Sequence, residues 1–352
     1  MKLTTIGIDL AKSVFQVHGV DERGKAVLRR QLKRKDVMAY VANLEPCLIG
    51  MEACGGAHYW ARKFSGLGHS VRLMAPQFVK PYVKSNKSDR NDAEAICEAV
   101  GRANMRFVPV KSAEQQAVLS VHRGRQSFVK ARTAQANQIR GLLAEFGIVI
   151  PKGISHIAQL LPDILEDGEN ELPPMMRELL QRLGENLKAM DTQAVQLEHQ
   201  IKRAHRQNEQ SLALEAIAGI GPLTASAFVA TVGEAKSFKN GRQVSAWLGM
   251  VPRQRGTGGK VELGPISKHG DVYLRTLLIH GARSVIRQAE RKPEQADPWL
   301  RQLLCRRNKN VAAVALAAKN ARIAWALLAH GRSYQRDYVS KPPSREMGAG
   351  VA

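Results

Sequence analysis

The fold of this chain is organised around Lys84-Ser-Asn-Lys-Ser-Asp-Arg-Asn-Asp-Ala-Glu-Ala-Ile-Cys97, where a polar loop turns into an apolar-periodic helix. Asp89 and Asp92 are spaced so that both carboxylates lie on one face of the first helical turn. Ser88 or Asp89 can cap this helix. Taken alone, a cap and a first-turn acid are explained by the helix dipole. A divalent cation becomes the better explanation only if further carboxylates converge here, because it neutralises their repulsion.

Two further acids end strands near the N-terminus. Leu3–Leu10 is a predicted buried strand with Asp9 at its end, and Cys47–Glu52 is an apolar strand that ends in Glu52. Apolar periodicity and turn residues predict the other elements. These are strands at 14–20, 25–31 and 70–75, and helices at 35–44, 57–67, 77–84 and 89–102.

The resulting order, βββαβαβα, begins with an antiparallel meander and is typical of a ribonuclease-H-like mixed sheet. In that fold the ends of the central strands meet the last helix, which would bring together four acids: Asp9, Glu52, Asp89 and Asp92. A buried carboxylate is costly without a partner, and two cations held ~3.5–4 Å apart would supply one. Singly, Asp9 is equally well a strand-end turn residue and Glu52 a surface acid. Their coincidence with the fold's metal positions favours a metal centre.

The composition bounds the class of partner. The 352 residues include 53 Lys and Arg against 31 Asp and Glu, a net charge of +22 that indicates a polyanion, most simply nucleic acid. A membrane-surface protein is the alternative, but we find no apolar run of ~18 residues and no signal-like N-terminus, so no membrane role is expected. Four cysteines without a CxxC pair indicate a reducing cytoplasm rather than zinc or disulfides. Aromatic residues, at 5%, offer no obvious platform for stacking bases.

Residues 112–208 predict a helical spacer. A proline-free helix at 112–146 carries a basic face with Arg123, Arg125 and Lys130, which is equally well a solvated surface and a nucleic-acid contact. Residues 147–174, with four prolines, predict a break. A heptad seam follows, which predicts a coiled coil but not whether its partner is the first helix or another subunit. The seam consists of Leu180, Leu183, Leu187, Met190, Ala194, Leu197, Ile201 and Ala204.

The C-terminal part carries glycine-rich turns among basic residues. Leu214–Ala225 matches a helix–hairpin–helix, whose turn at Gly219 and Gly221 lets backbone approach a phosphate. A plain helical corner is the alternative. Residues 252–260 form a glycine loop flanked by basic residues, and from the residues alone an ordinary mobile loop explains it. We expect the phosphate contacts here to come from Arg253, Arg255, Lys260, Lys268 and Arg275, with Lys12 in the first domain.

Three motifs in combination resemble a known family. Gly7-Ile-Asp-Leu-Ala-Lys12, Gly50-Met-Glu-Ala-Cys-Gly-Gly56 and Lys87-Ser-Asp-Arg-Asn-Asp-Ala-Glu94 are similar to motifs of the DEDD transposases of bacterial insertion sequences. The family is numbered one-ten, and the chain looks closest to its eleven-eleven subgroup. The resemblance covers residues 3–330. It implies a RuvC-like domain with Mg²⁺ or Mn²⁺ on the four acids, a dimerising coiled coil and a C-terminal transposase domain.

The same resemblance implies partners and a nucleophile. Relatives recombine donor and target DNA under the guidance of a structured bridge RNA, so we expect both DNA and RNA as partners. A tetramer is expected in the synaptic complex, acting in the cytoplasm on the nucleoid. Relatives carry a nucleophilic serine in a segment like Pro-Arg-x-x-x-Ser-Gly, and alignment on Pro252-Arg253 puts Thr257 there. Ser267, which looks more like a helix cap, is the other candidate hydroxyl.

The predicted organisation is α/β followed by all-α. A RuvC-like catalytic domain (1–111) precedes the spacer (112–208), a helical transposase domain with the helix–hairpin–helix and nucleophile loop (209–335) and a disordered tail (336–352). The predicted function is DNA strand cleavage and rejoining by an insertion-sequence transposase. The alternatives are a RuvC-like nuclease that cuts with water and forms no covalent intermediate, and a non-catalytic nucleic-acid-binding scaffold.

Overall fold

The computed structural model describes residues 2–84, 88–258, 260–336 and 338. They divide into two compact units. The first comprises Met1–Ala204 with Ser226–Ser237, and the second His205–Ala225 with Phe238–Ala352. Apart from Arg336 and Tyr338, the predicted disordered tail lies outside the described residues. The predicted boundaries at residues 111 and 208 stay predictions.

A six-stranded mixed sheet forms the base of the first unit. Its strands are β1 (Leu3–Leu10), β2 (Val14–Asp21), β3 (Ala26–Lys33), β4 (Leu48–Glu52), β5 (Ser70–Met74) and β6 (Phe107–Val108). The spatial order is β3-β2-β1-β4-β5-β6. β1 pairs antiparallel with β2 and parallel with β4, so the predicted mixed sheet with adjacent central strands is present. The two-residue strand β6 was not predicted.

Helices lie on both faces of this sheet. They are α1 (Val37–Ala42), α2 (Ala57–Gly66), α3 (Pro76–Val79) and α4 (Asp89–Val100). Ile6 and Ile8 of β1 are fully buried in one core cluster with Trp60 and Phe64 of α2. Because side chains alternate along a strand, Gly7 and Asp9 lie on the opposite face, which α4 covers.

Three further helices belong mainly to the first unit: α5 (Ala113–Ala144), α6 (Ile154–Glu166) and α7 (Pro174–Arg206). Helix α5 begins at a capping box in which the side chains of Ser112 and Gln115 each accept from the other residue's backbone N–H. Helix α6 corrects our prediction of a break over 147–174, since it contains Pro162 and still packs through Ile157 and Leu161.

Helices α5 and α7 pair within the chain. Arg125 donates from Nε and Nη2 to Glu198 Oε2 at 3.1 and 2.7 Å, and Gln135 Nε2 donates to the Leu183 carbonyl at 2.8 Å. Arg132 forms an ion pair with Asp191. Every second residue of the predicted seam is buried: Leu180, Leu187, Ala194 and Ile201. The seam is thus occupied at least by intrachain contacts, and its role in dimerisation stays a prediction.

The remaining elements are mostly helical. They are α8 (Glu209–Glu215), α9 (Pro222–Val232), α10 (Gly241–Trp247), β7 (Pro252–Thr257), β8 (Lys260–Ile266), α11 (Val272–Arg291), α12 (Pro298–Arg306) and α13 (Lys309–His330). Buried polar groups tie the second unit together. Asn320 Nδ2 donates to the Ala218 carbonyl at 2.8 Å, and Ser245 Oγ donates to the Ala318 carbonyl at 3.1 Å. Both bonds anchor α13, which makes it the central helix of this unit.

Helix α13 corrects the expectation that no apolar run is long enough to cross a membrane. Among the described residues it alone passes by length and composition, with 22 residues and a mean hydropathy of 1.4 over its most apolar window. However, 44% of that window is buried inside the protein, and one face of the helix is closed by alanines such as Ala312, Ala317 and Ala321. The pattern is that of a core helix.

Candidate active site

The sheet delivers two acids to one edge. β1 and β4 run parallel, and their register pairs Ile8 with Met51. Asp9 and Glu52 are the next residue on each strand, so both lie at the carboxyl edge of the two central strands. Both side chains are half-buried. The predicted convergence of these strand ends is therefore present in the backbone.

Two paired glycines let α4 approach the sheet. Gly7 and Gly50 face each other across β1 and β4. A Cβ on Gly7 would meet the Ala93 carbonyl oxygen at 2.3 Å and the Cys97 nitrogen at 2.4 Å, and one on Gly50 would meet Val100 at 2.7 Å. Only glycine permits this contact between helix backbone and sheet. Our sequence reasoning missed this role, although a glycine two residues before each strand acid was the available signal.

The close approach brings three carboxylates together. Oxygens of Asp9, Asp89 and Asp92 all lie within 4.8 Å of one another. Ser88 caps α4 by accepting from the Asn91 N–H at 3.3 Å, which leaves Asp89 as a first-turn acid. Glu52 does not belong to this group among the described residues. The structure thus brings together three of the four predicted acids.

The electrostatics around Cys54 link Glu52 to the cluster. Burial raises the pKa of the Cys54 thiol, and the negative charges of Glu52 and then Asp9 raise it further. Both carboxylates are therefore close enough to act on one side chain. The thiol therefore stays protonated near neutral pH when no metal is bound.

The donor set defines what this site can hold. Three carboxylates within 4.8 Å repel one another unless a proton or cation compensates their charge. All the donors are oxygens, which hard cations such as Mg²⁺ and Mn²⁺ prefer over soft ones. The cluster lies where a helix start meets a sheet edge, half open to solvent, so a phosphate could reach it.

The predicted glycine loop is a β-hairpin. β7 and β8 pair antiparallel, with Arg255 opposite Glu262 and Thr257 opposite Lys260. The interpretation as a loop is therefore wrong, because the segment is paired along most of its length. Arg253, Arg255 and Lys260 are exposed, as expected for phosphate contacts. The backbone of Thr257 lies in β7, and its side chain is outside the described part of the structure.

Ser267 is not a helix cap. Helix α11 begins four residues later than that role requires, and its cap is Asp271, which accepts from the Leu274 N–H at 2.7 Å. Ser267 instead bonds through its backbone, donating to the Val251 carbonyl and accepting from Arg253 Nη2 at 3.2 Å. The adjacent Lys268 is exposed and has a left-handed φ of 56°.

Arg275 has a structural environment. It is buried, and its Nη1 donates to the carbonyls of Leu248 and His269 at 2.9 and 3.1 Å. Those bonds hold the residues that precede α11 against the end of α10. A side chain so engaged does not present its charge to a phosphate.

The turn between α8 and α9 has the predicted shape. Gly219 has a φ of +90°, and α9 begins at Pro222. A Cβ on Gly219 would meet the backbone of Gly281 in α11 at 3.0 Å, so packing alone explains this glycine. A Cβ on Gly221 would meet nothing within 4 Å. Of the two predicted phosphate-binding glycines, Gly221 is the open one.

The basic residues of α5 are likewise either exposed or engaged by other residues of the protein. Arg123 and Lys130 are exposed, and so is Lys12 in the β1–β2 turn. Arg125 is engaged by Glu198. His122, the residue before Arg123, is fully buried beside Ser226, and burial lowers its pKa to about 4.

Comparisons with known proteins extend this picture over the whole chain. Residues 6–148 match the DEDD family model of the IS110 group, described as a transposase, and residues 211–299 match the model described as "Transposase IS116/IS110/IS902 family". A probable family 20 transposase of Pseudomonas aeruginosa is 54% identical over 336 residues, covering 95% of this chain and 99% of the relative.

Two further relatives are named for their insertion sequences. The transposase for IS1111A of Coxiella burnetii is 46% identical, over 94% of this chain and 91% of its own length. The transposase for IS1328 of Yersinia enterocolitica is 41% identical, over 95% and 99%. With both family models matched and full-length relatives at this identity, the chain belongs to the IS110 family of DEDD transposases, enzymes that move insertion sequences in DNA.

Proposed function

We propose that this transposase cuts and rejoins DNA strands at a divalent-metal centre formed by Asp9, Asp89 and Asp92, with Glu52 at its margin. The observation that carries the proposal is the approach of the three carboxylates to within 4.8 Å. Asp9 is far in the sequence from Asp89 and Asp92. Close packing at Gly7 and Gly50 brings α4 onto the sheet and restricts its movement. Such fixed geometry is what metal-assisted phosphoryl transfer requires.

The chain's own residues have separable tasks in this proposal. When bound, Mg²⁺ or Mn²⁺ supplies charge neutralisation at the scissile phosphate. Asp9 holds its ligand position from the sheet, whereas Asp89 and Asp92 hold theirs from the first turn of α4. The half-buried Glu52 is placed to accept a proton or to complete the ligand shell. Exposed Lys12 in the β1–β2 turn is placed to contact the DNA backbone.

We further propose the Thr257 hydroxyl as nucleophile. Its oxygen would form a P–O bond to the scissile phosphate while the bond to the departing deoxyribose oxygen breaks, and a base takes the hydroxyl proton. The resulting phosphoester conserves the bond for rejoining. The match of Thr257 to the family's serine position supports this role, and exposed Arg253, Arg255 and Lys260 supply positive charge along the same hairpin.

The partners follow from family and charge. We propose donor and target DNA and a structured guide RNA, bound in part through exposed Arg123 and Lys130 on α5 and through Lys268 and the Gly221 turn. Dimers through α7 and tetramers in the synaptic complex are proposed as the active forms, in the cytoplasm at the nucleoid. The net charge of +22 supports a polyanionic partner.

The metal centre is tested by Asp92→Asn. We expect strand cleavage of a DNA carrying the element's ends to fall by at least about 10³-fold, since a carboxylate ligand is removed while shape is kept. Asp163→Asn, at an exposed aspartate on α6, is the matched control and should cut normally. Normal cleavage by Asp92→Asn and Asp9→Asn, with both proteins folded, would refute the metal centre. Absence of cleavage by the parent would leave a non-catalytic scaffold as the function.

The nucleophile is tested by trapping. A covalent protein–DNA adduct should form with the parent and with Ser267→Ala, and should be absent with Thr257→Ala, as read by denaturing gel and mass spectrometry. Cleavage that survives in Thr257→Ala without an adduct would instead show a RuvC-like nuclease that uses water.

A further inference from the structure

The sequence Arg29-Arg-Gln-Leu-Lys-Arg-Lys35 puts five cations into seven residues on the edge strand of the sheet. It forms the end of β3 and the turn after it. None of the five has a carboxylate within ion-pair distance among the described residues. Charges on edge strands often serve only to prevent edge pairing, so a ligand requires more evidence than the run itself.

The additional evidence is a set of aromatic rings beneath the cations. The Arg34 guanidinium lies over the rings of Trp60 and Phe15, at 5.3 and 5.7 Å from their centroids, and Arg30 lies over Tyr40 at 5.0 Å. Stacking on a ring leaves the N–H edges of a guanidinium available for a phosphate. The two arginines are four residues apart along an extended strand, about 13 Å, so they would bind different phosphates.

Next to Arg34 the surface forms a hollow of about 510 Å³, which we call the edge-strand hollow, lined by Arg34, Lys35, Tyr59 and Trp60. Tyr59 is 44% exposed and packs edge to face on Trp60, with the ring centroids 5.3 Å apart. The hollow therefore offers cations and an exposed aromatic ring side by side. That combination is how proteins hold single-stranded nucleic acid, by phosphate contact and base stacking.

The edge-strand hollow and the carboxylate cluster lie at the same end of the sheet, on opposite faces. Asp9 pairs in register with Gln16 of β2. The Arg34 guanidinium lies over the ring of Phe15, the residue before Gln16 on that strand. The Arg34 N–H donates to the Ser13 carbonyl at 2.9 Å, in the turn that directly follows β1. Lys12 is exposed in that turn. A strand leaving the carboxylates would cross the turn at Lys12 before reaching the hollow.

We propose that the edge-strand hollow binds single-stranded DNA that continues from the cut site, with Arg34 and Lys35 on phosphates and a base stacked on Tyr59. Arg30, outside the hollow on β3, contacts a further phosphate of the same strand. The inference rests on the proposed function, since it assigns a path to the strand cut there. Phe15, Trp60 and Phe64 are buried in the core, and Tyr59 is the exposed ring of this group.

The test measures binding without metal, so that it is independent of cleavage. A fluorescent 12-nucleotide single-stranded DNA is titrated with full-length protein in EDTA across a salt series. Tyr59→Ala should weaken binding about fivefold or more, whereas Tyr59→Phe keeps the ring and binds like the parent. Arg34→Gln and Lys35→Gln should each lower the salt slope by about 0.7, the value expected for one phosphate of a single strand.

The controls separate charge and folding from the site. Lys25→Gln removes one exposed cation at the opposite end of β3 and should change affinity only as much as one distant charge does, far less than Arg34→Gln. Lys35→Gln leaves the stacked rings untouched, so it remains informative if Arg34→Gln unfolds. Parent-like binding by Tyr59→Ala and Lys35→Gln overturns the proposal.

Two further outcomes are decisive. If the variants lose affinity only for an RNA of the same sequence, the occupant is RNA and the DNA assignment is wrong. Cleavage by Asp92→Asn is measured in a separate assay. Failure of that variant to reduce cleavage would refute the metal centre while leaving the hollow in place, so the two proposals fail separately.

Discussion

The carboxylate cluster carries the proposed metal ligands, and the β7–β8 hairpin carries the proposed nucleophile. The cluster lies on packed elements, whereas the hairpin is exposed. Asp9 lies on β1, in which Ile6 and Ile8 are fully buried, and α4 packs closely against that strand at Gly7. The hairpin is exposed along nearly its whole length, and even its apolar residues Val261 and Leu263 are 64% and 66% exposed.

The difference indicates a division between rigidity and adaptability. A metal site loses affinity when its ligands move, so it belongs on packed elements. An isolated two-stranded hairpin gains little stability of its own, and is free to adjust to a partner. We therefore expect substitutions near the cluster to cost stability and activity together, and substitutions in the hairpin to cost activity alone.

The largest effect is expected from Gly7→Ala. The new methyl group would lie 2.3 Å from the Ala93 carbonyl oxygen, and the helix carrying Asp89 and Asp92 must move to accept it. We expect a loss of at least about 3 kcal/mol in the free energy of unfolding, measured by urea denaturation, together with loss of cleavage. Gly264→Ala in β8, where the nearest atom is 3.8 Å away, should cost under about 0.5 kcal/mol. Equal losses in Gly7→Ala and Gly264→Ala would contradict the difference between a packed cluster and an exposed hairpin.

A smaller effect on the free energy of unfolding is expected when the pH is lowered. Burial lowers the pKa of His122 to about 4, below the unfolded value of 6.5, so the unfolded chain binds more protons as the pH falls below 6.5. Stability is therefore full above that pH and is lost toward pH 4. We expect His122 to account for about 2 kcal/mol of the loss between pH 8 and pH 5.

The measurement is urea unfolding at several pH values for the parent and His122→Leu. The variant should show a shallower pH dependence, whatever its stability at pH 8. The slope should not vanish, because His58, whose pKa burial and the charge of Lys111 also lower to about 4, titrates in the same range. An unchanged slope in His122→Leu would show that the buried histidine is not the acid-sensitive group.

The smallest effect is expected from Leu263→Thr. The side chain is 66% exposed, so we expect a change under about 0.5 kcal/mol, seen as a melting temperature shifted by no more than about 2 °C. Ile8→Thr, which buries a hydroxyl in the core under the cluster, is the contrasting variant and should cost several times more. A large loss for Leu263→Thr would mean that the hairpin is buried in the folded protein.

The sheet was largely predictable, because its strands are apolar runs bounded by turns and α4 begins at a serine cap. The acids at the strand ends followed from the same pattern. What the sequence could not show was distance. Glu52 has the same strand-end signal as Asp9, yet it lies outside the carboxylate group, since side-chain direction and the position of α4 decide membership.

The predictions that the structure corrects share a physical cause. Arg125 and Arg275 were expected to face solvent as cations, but ion pairing and carbonyl acceptors satisfy both inside the protein. Helix α6 was missed because a proline within a helix usually ends it, and here packing of Ile157 and Leu161 offsets the missing hydrogen bond. The hairpin was missed because its glycines interrupt the alternation of apolar and polar side chains that marks a strand. Its side chains are exposed, so no buried face makes that alternation visible.

The separation of the acids along the chain has a consequence during translation. Asp9 leaves the ribosome early, but Asp89 and Asp92 are synthesised some eighty residues later, and α4 reaches only Val100. A fragment released before residue 89 holds one carboxylate of the three. If the three carboxylates bind metal as proposed, a chain interrupted before residue 89 cannot form that centre.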